Sequence, residues 1–149
     1  MKKIVVIDGQ GGRIGSLLVG KLKGEQGGQE IYAIGTNSIA TSAMMKAGAD
    51  YGGTGENPAI VNCRDADLIL GPIGIVIADS LLGEITPAMA VAVGQSGAQK
   101  VLLPINRCNT HIVGARDLPV ADLIDAAIGR AMSILGAAEQ GGHWVKSGN

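Results

Sequence analysis

A single doubly wound α/β domain is the fold this sequence predicts, with a mostly parallel five-stranded sheet in the order 3-2-1-4-5. Three observations predict it. Short apolar, β-branched runs alternate along the chain with longer segments of helical periodicity. Glycine-rich or polar loops follow the apolar runs, at residues 8–15, 35–38, 52–57, 71–74 and 106–109. The chain has 149 residues, 46% hydrophobic and 17% charged, which is the size and composition of one well-filled domain.

The elements are read in chain order. Residues 4–7, Ile-Val-Val-Ile, form the first strand, and apolar positions 14, 17, 18 and 22 give the helix after it. Polar and glycine residues at 24–29 end that helix, and 31–34 form a second buried strand. Two such strands joined by one helix make a right-handed βαβ unit with parallel strands. Thr36, Asn37 or Ser38 caps a helix over 39–47, which Gly48 terminates. A short third strand is expected near 49–51, then a second glycine-rich loop at 52–57. Asn57-Pro58 predicts a helix capped by Asn57, with proline at its first position, running to about residue 66. The fourth strand is 68–70. The apolar run 75–82 reads as a short helix, because Asp79 and Ser80 would interrupt a buried strand. Thr86-Pro87 opens a helix to about 96, and 100–105 form the fifth strand. A last strand is expected at 112–113. Leu118-Pro119 opens a final helix whose stripe includes 120, 123, 124, 127, 128, 131, 132 and 135. The domain is thus expected to span 1–135, with a flexible tail at 136–149.

Composition removes several function classes. Twelve basic residues against thirteen acidic give a net charge of −1, without the basic excess of a nucleic-acid surface. The aromatics are Tyr32, Tyr51 and Trp144, too few for a base-stacking platform. Cys63 and Cys108, with His111 and His143, have neither metal-ligand spacing nor the pattern of a disulfide framework, so no metal is expected. His143 falls in the tail and reads as a surface residue. The apolar run near the first residue is too short for a signal peptide, and no stretch approaches the ~20 apolar residues of a membrane span. A cytoplasmic protein without membrane or nucleic-acid partners is expected.

Glycine, 24 residues of the chain, is concentrated in loops. Gly9-Gln10-Gly11-Gly12-Arg13-Ile14-Gly15 lies between the first strand and the first helix. Gly9 permits the tight turn, Gly11 or Gly12 lets a phosphate approach the backbone, and Gly15 lets the helix pack close to the strand. The helix start adds free amides and a partial positive charge. Asp8, ending the first strand, is placed to orient this loop. The ligand site is therefore read as Asp8, Gly9, Gln10, Gly11, Gly12, Arg13, Ile14 and Gly15, joined by Thr36, Asn37, Ser38, Thr54, Pro72, Asn106 and Arg107 from the other loops. In a dinucleotide fold an acidic residue at the end of the second strand grips the ribose diol. Here Thr36-Asn37-Ser38 holds that place, with no carboxylate, and no arginine follows to pair a 2′-phosphate.

Three functions compete. The first is binding of a phosphate-bearing small molecule, a nucleotide or an NAD(P)-like dinucleotide, at the carboxyl ends of the strands. The second is a small hydrolase or transferase on a phosphorylated or carboxylated metabolite, with Glu56, Cys108 and His111 as candidate catalytic groups and Arg107 clamping the anion. The third is a non-catalytic ligand sensor or assembly subunit. A homo-dimer or higher homo-oligomer is expected, since the chain is apolar, with mean hydropathy +0.29, and segment 73–82 exceeds one sheet face's needs.

The glycine loop resembles the phosphate loop of dihydrodipicolinate reductase, where Gly-x-Gly-Gly-Arg-x-Gly binds a nicotinamide dinucleotide; the reductase's substrate domain has no counterpart here. The chain as a whole carries Val-Ile-Asp8-Gly-Gln-Gly-Gly, Gly35-Thr-Asn-Ser-Ile-Ala-Thr, Ala47-Gly-Ala-Asp, Thr54-Gly-Glu-Asn, Gly71-Pro-Ile-Gly-Ile, Leu82-Gly-Glu-Ile-Thr-Pro and Pro104-Ile-Asn-Arg-Cys-Asn. In these motifs residues 2–135 resemble a family of short bacterial Rossmann-like proteins known as a domain of unknown function. That resemblance implies the fold and supplies no activity, substrate or partner.

Overall fold

The computed structural model describes residues 1–105 and 109–139. Strands β1 (Lys3–Asp8), β2 (Glu30–Gly35), β3 (Tyr51–Thr54), β4 (Leu68–Pro72) and β5 (Gln99–Leu103) form one sheet in the order β3-β2-β1-β4-β5. Every pairing is parallel, with Val5 opposite Tyr32 on one side of β1 and Ile69 on the other. This is the predicted order. Its physical basis is legible in the strand interiors, which are apolar on both faces because helices cover both.

Alternation along each strand divides the core into two layers. Ile4, Val6, Ile31, Ala33, Leu68, Leu70, Val101 and Leu103 face one way. They pack under α1 (Arg13–Gly24), α2 (Ser38–Lys46) and α5 (Val120–Glu139). Val5, Ile7, Ile34 and Ile69 face the other way, under α3 (Glu56–Cys63) and α4 (Pro87–Gln95). The helix side changes where the chain passes from the β3 edge to β4, so β1 and β4 flank a topological switch point. In open α/β sheets, ligand crevices form there, outside the strand carboxyl ends.

Local departures from expectation have local causes. Helix α1 starts at Arg13, so the connecting loop is only residues 9–12. β3 occupies 51–54, shifted from 49–51, and takes up half of the predicted 52–57 loop. Tyr51 stacks on Tyr32 at 4.7 Å, and Gly52 and Gly53 leave room for Met45 and Pro58. The cap of α3 is Gly55, at φ 93°, whose amide donates to Gly35 O at 2.8 Å; Asn57 is an exposed residue of the first turn rather than the cap. The helix ends at Cys63, not 66.

Segment 75–82 is not a helix. A 3-10 turn, Ile73–Val76, gives way to turns in which Asp79, Leu81, Leu82 and Gly83 all have positive φ. Residues 112–113 form no strand, and Val113 is fully exposed. Helix α5 begins at Val120 and continues past residue 135 to Glu139; residues 140–149, with the expected tail and His143, lie outside the described residues.

Candidate functional site

The site begins with a buried acid. Asp8 ends β1 and is 5% exposed. Its Oδ1 accepts from Gly9 N at 2.8 Å and its Oδ2 from Gly15 N at 2.7 Å. Burial pushes the Asp8 carboxyl up, the amides of Gly15, Gly9 and Ile14 pull it back, and the charge of Glu84 adds to the rise. Asp8 thus ties both ends of the glycine loop together, and its oxygens face the chain rather than a ligand.

Two glycines are required by close approach. A Cβ on Gly15 would press on the Met44 side chain and come within 2.9 Å of Asp8 Cβ, so this glycine lets α1 sit on the strand end. Gly12 has φ 72°, and a Cβ there would meet the Ala40 backbone at 2.8 Å. Gly11 differs, with nothing within 4 Å of its would-be Cβ.

The loop amides divide into used and unused. Gly9 and Gly15 donate to Asp8, and Gly12 N donates to Gly9 O at 2.9 Å. Gln10 N donates to both Glu84 carboxylate oxygens, at 3.1 and 3.2 Å. Among the described residues, Gly11 N and Arg13 N donate to no protein acceptor. These two lie in the first residues around the α1 start, where the helix field favours an anion. The Ile14 side chain is buried in the core, and its amide hydrogen-bonds to the Asp8 carboxyl.

Glu84, absent from the sequence reading, joins this cluster. It arrives from the turn segment between β4 and α4. Its Oε1 accepts from Thr36 Oγ1 at 2.8 Å and Asn37 Nδ2 at 2.5 Å. Asn37 also donates to Gln10 O at 3.0 Å, and its Oδ1 caps α2 by accepting from Ala40 N at 2.9 Å. Burial acts to raise the Glu84 carboxyl, but the donors Thr36, Asn37 and Gln10 N outweigh it and hold it below the ordinary glutamate value. Its sequence signal is Leu82-Gly-Glu-Ile-Thr-Pro, which also carries the start of α4. Thr86 does cap α4, accepting from Met89 N at 3.1 Å.

The structure therefore brings together the glycine loop, Thr36 and Asn37 at the switch point. Ser38 opens α2 and is exposed, Thr54 ends β3 with its hydroxyl 2.7 Å from that of Thr41, and Pro72 is buried at the end of β4. Arg13 is exposed at the first position of α1. Glu56 and His111 are exposed and joined by no hydrogen bond or ion pair to another ionisable side chain among the described residues. Asn106, Arg107 and Cys108 lie outside the described residues, so the expected shared pocket of Arg107 with Gly11 and Asn37 does too.

A cleft of about 330 Å³ opens between the carboxyl ends of α3 and α4, lined by Ile60, Cys63, Arg64, Ala92, Ser96 and Gly97 among others. It sits at the amino edge of the sheet, away from the glycine loop. Burial pushes the Cys63 thiol up to about 11, against the pull of Lys3 and Lys100. At neutral pH it is a packed thiol, not a nucleophile.

Fold and site together define a doubly wound α/β protein with a glycine loop ordered by a buried aspartate at its switch point. The chain belongs to the family described as Domain of unknown function (DUF3842), whose model matches residues 3–136. No curated protein matches it. Among solved structures it is similar to the dodecameric FMN-dependent UbiX-like decarboxylase from Escherichia coli O157:H7, at 17% identity and TM-score 0.46, over 91% of this chain and 95% of that one. No helix among the described residues is long and apolar enough to cross a membrane.

Proposed function

We propose that this protein binds a phosphate-bearing small molecule, a nucleotide or dinucleotide of the NAD(P) kind, at the carboxyl ends of its strands. The observation that carries the reading is the pair of unused amides, Gly11 N and Arg13 N, beside an open Cβ position at Gly11. A phosphate oxygen can approach a backbone only where no side chain intervenes, and Gly11 meets that condition. The Arg13 side chain, exposed at the helix start, adds a positive charge to the same end.

The protein acts in this reading as a cytoplasmic homo-oligomer. A buried free thiol at Cys63 suits a reducing compartment, and exposed apolar side chains at Ile39, Val91 and Leu82 supply contact surface. The test is thermal unfolding with inorganic phosphate, ATP, NAD, NADP and sugar phosphates, on the native protein and on Gly11→Val. Stabilisation by at least one phosphate-bearing ligand that Gly11→Val abolishes supports the site. Stabilisation that persists in Gly11→Val removes it.

A further inference from the structure

The end of β2, where dinucleotide folds present a ribose-binding acid, carries no carboxylate of its own in this chain. Yet a carboxylate stands there. Glu84 Oε1 is 2.8 Å from the hydroxyl of Thr36, the residue that directly follows β2. It would lie 3.5 Å from a Cβ on Gly9, and that Cβ would also come within 2.7 Å of Thr36 Oγ1. Gly9 is thus the glycine that makes room for the Thr36–Glu84 pair.

We infer that Glu84, delivered across the switch point from the β4–α4 connection, is the acceptor for the vicinal hydroxyls of a ribose in the bound ligand. This inference rests on the nucleotide reading of the site and names the half of the ligand that Glu84 meets. The two oxygens of Glu84 are unequally used. Oε1 takes Thr36, Asn37 and Gln10 N, whereas Oε2 takes only Gln10 N at 3.2 Å among the described residues. A carboxylate offers about four acceptor sites over its two oxygens, and three donors share them here, so Oε2 retains acceptor capacity. The side chain is part-exposed, so that capacity faces reachable space.

Charge assigns the ligand's two ends. An ionised carboxylate accepts and does not donate, and it repels phosphate. A phosphate therefore belongs on the Gly11 and Arg13 amides, and hydroxyl donors belong on Glu84. A 2′-phosphate in place of the 2′-hydroxyl would set two anions against each other. The site consequently selects a ribonucleotide with a free diol, NAD over NADP. Holding Glu84 in place takes backbone that ordinary residues avoid, with φ 65° at Asp79, 55° at Leu81 and 56° at Leu82. Such positions persist where surrounding contacts over-determine them; here Asp79 N donates to Ile85 O at 2.8 Å and the Leu81 side chain is buried in the core.

The experiment is titration calorimetry on the full chain with AMP, GMP and NAD, each beside its 2′-deoxy counterpart, and with NADP. The expected result is that each ribonucleotide that binds does so about tenfold or more tightly than its 2′-deoxy partner, the size of a lost hydrogen bond to a charged group. NADP binds more weakly still, and both preferences collapse in Glu84→Gln. Equal affinity for ribo- and 2′-deoxyribonucleotides in the native protein overturns the role of Glu84 and leaves the nucleotide site standing, without recourse to any variant. Failure of all these nucleotides and of inorganic phosphate to bind overturns both.

Discussion

Asp8 and Glu84 face each other through the glycine loop with opposite electrostatic histories. Asp8 is raised, chiefly by burial, so it binds its proton more tightly in the native state than in the unfolded one. Its contribution therefore favours folding as pH falls through the raised native value, and is lost as pH climbs. Glu84 is lowered by its donors, so its stabilisation is present above the ordinary glutamate range and disappears as pH falls through its native value. Carboxyl-carbon NMR titration should place Asp8 above the ordinary aspartate value and Glu84 below the ordinary glutamate value. The reverse displacement of either would show that the loop is held by something other than this pair. The glycines give a second contrast. Gly11→Val should leave stability within about 0.5 kcal/mol, as a surface change away from packed features. Gly12→Ala forces a Cβ into left-handed backbone, roughly 1–2 kcal/mol, and into the Ala40 backbone, roughly 1–3 kcal/mol. Equal denaturation midpoints for the two variants would contradict the packing described for Gly12. The loop, the close packing at Gly15 and the orienting part played by Asp8 were legible in residues 8–15, because strand, turn and helix are contiguous there. Glu84 was not. It meets Thr36 across 48 positions of sequence, through a turn whose left-handed residues are mostly not glycine and so carry no local signature.

Capping residues set where the elements begin, and two of them bear unequal loads. Thr86 caps α4 and does nothing else seen here, so Thr86→Ala should cost about 1 kcal/mol. Asn37 caps α2, and its amide also holds Glu84 and Gln10 O. Asn37→Ala should therefore cost more than Thr86→Ala in urea unfolding, by the ~1.5–3 kcal/mol of a hydrogen bond to a charged group. Equal costs would mean that Asn37 is a cap and no more. Both caps were readable from side-chain type and the apolar run that follows. The start of α3 was not, since Asn57-Pro58 offers a strong capping pattern that Gly55 pre-empts by turning the chain two residues earlier. Segment 75–82 was misread for a related reason: its apolar side chains suit a helix, but Ile75, Leu81 and Ile85 enter the core from turns.

At the scale of the molecule, the order 3-2-1-4-5 followed from the alternation of strands and helices and the apolar interiors of the strands. What the whole chain does with its surface was less legible. Ile39 is 69% exposed, Leu82 95% and Val91 51%, on α2, the turn segment and α4. A homo-dimer or larger assembly should cover part of this surface, and light scattering at high micromolar concentration should report it; a monomer there would refute the expectation. Whether a nucleotide phosphate sits on the α1 amino end is decided by following backbone amide resonances while NAD, or inorganic phosphate, is added to the full chain. The largest shifts should fall on Gly11 and Arg13, with smaller ones on Gln10 and Thr36. Shifts confined to the cleft around Cys63 and Ser96, or no shifts at all, would contradict that placement.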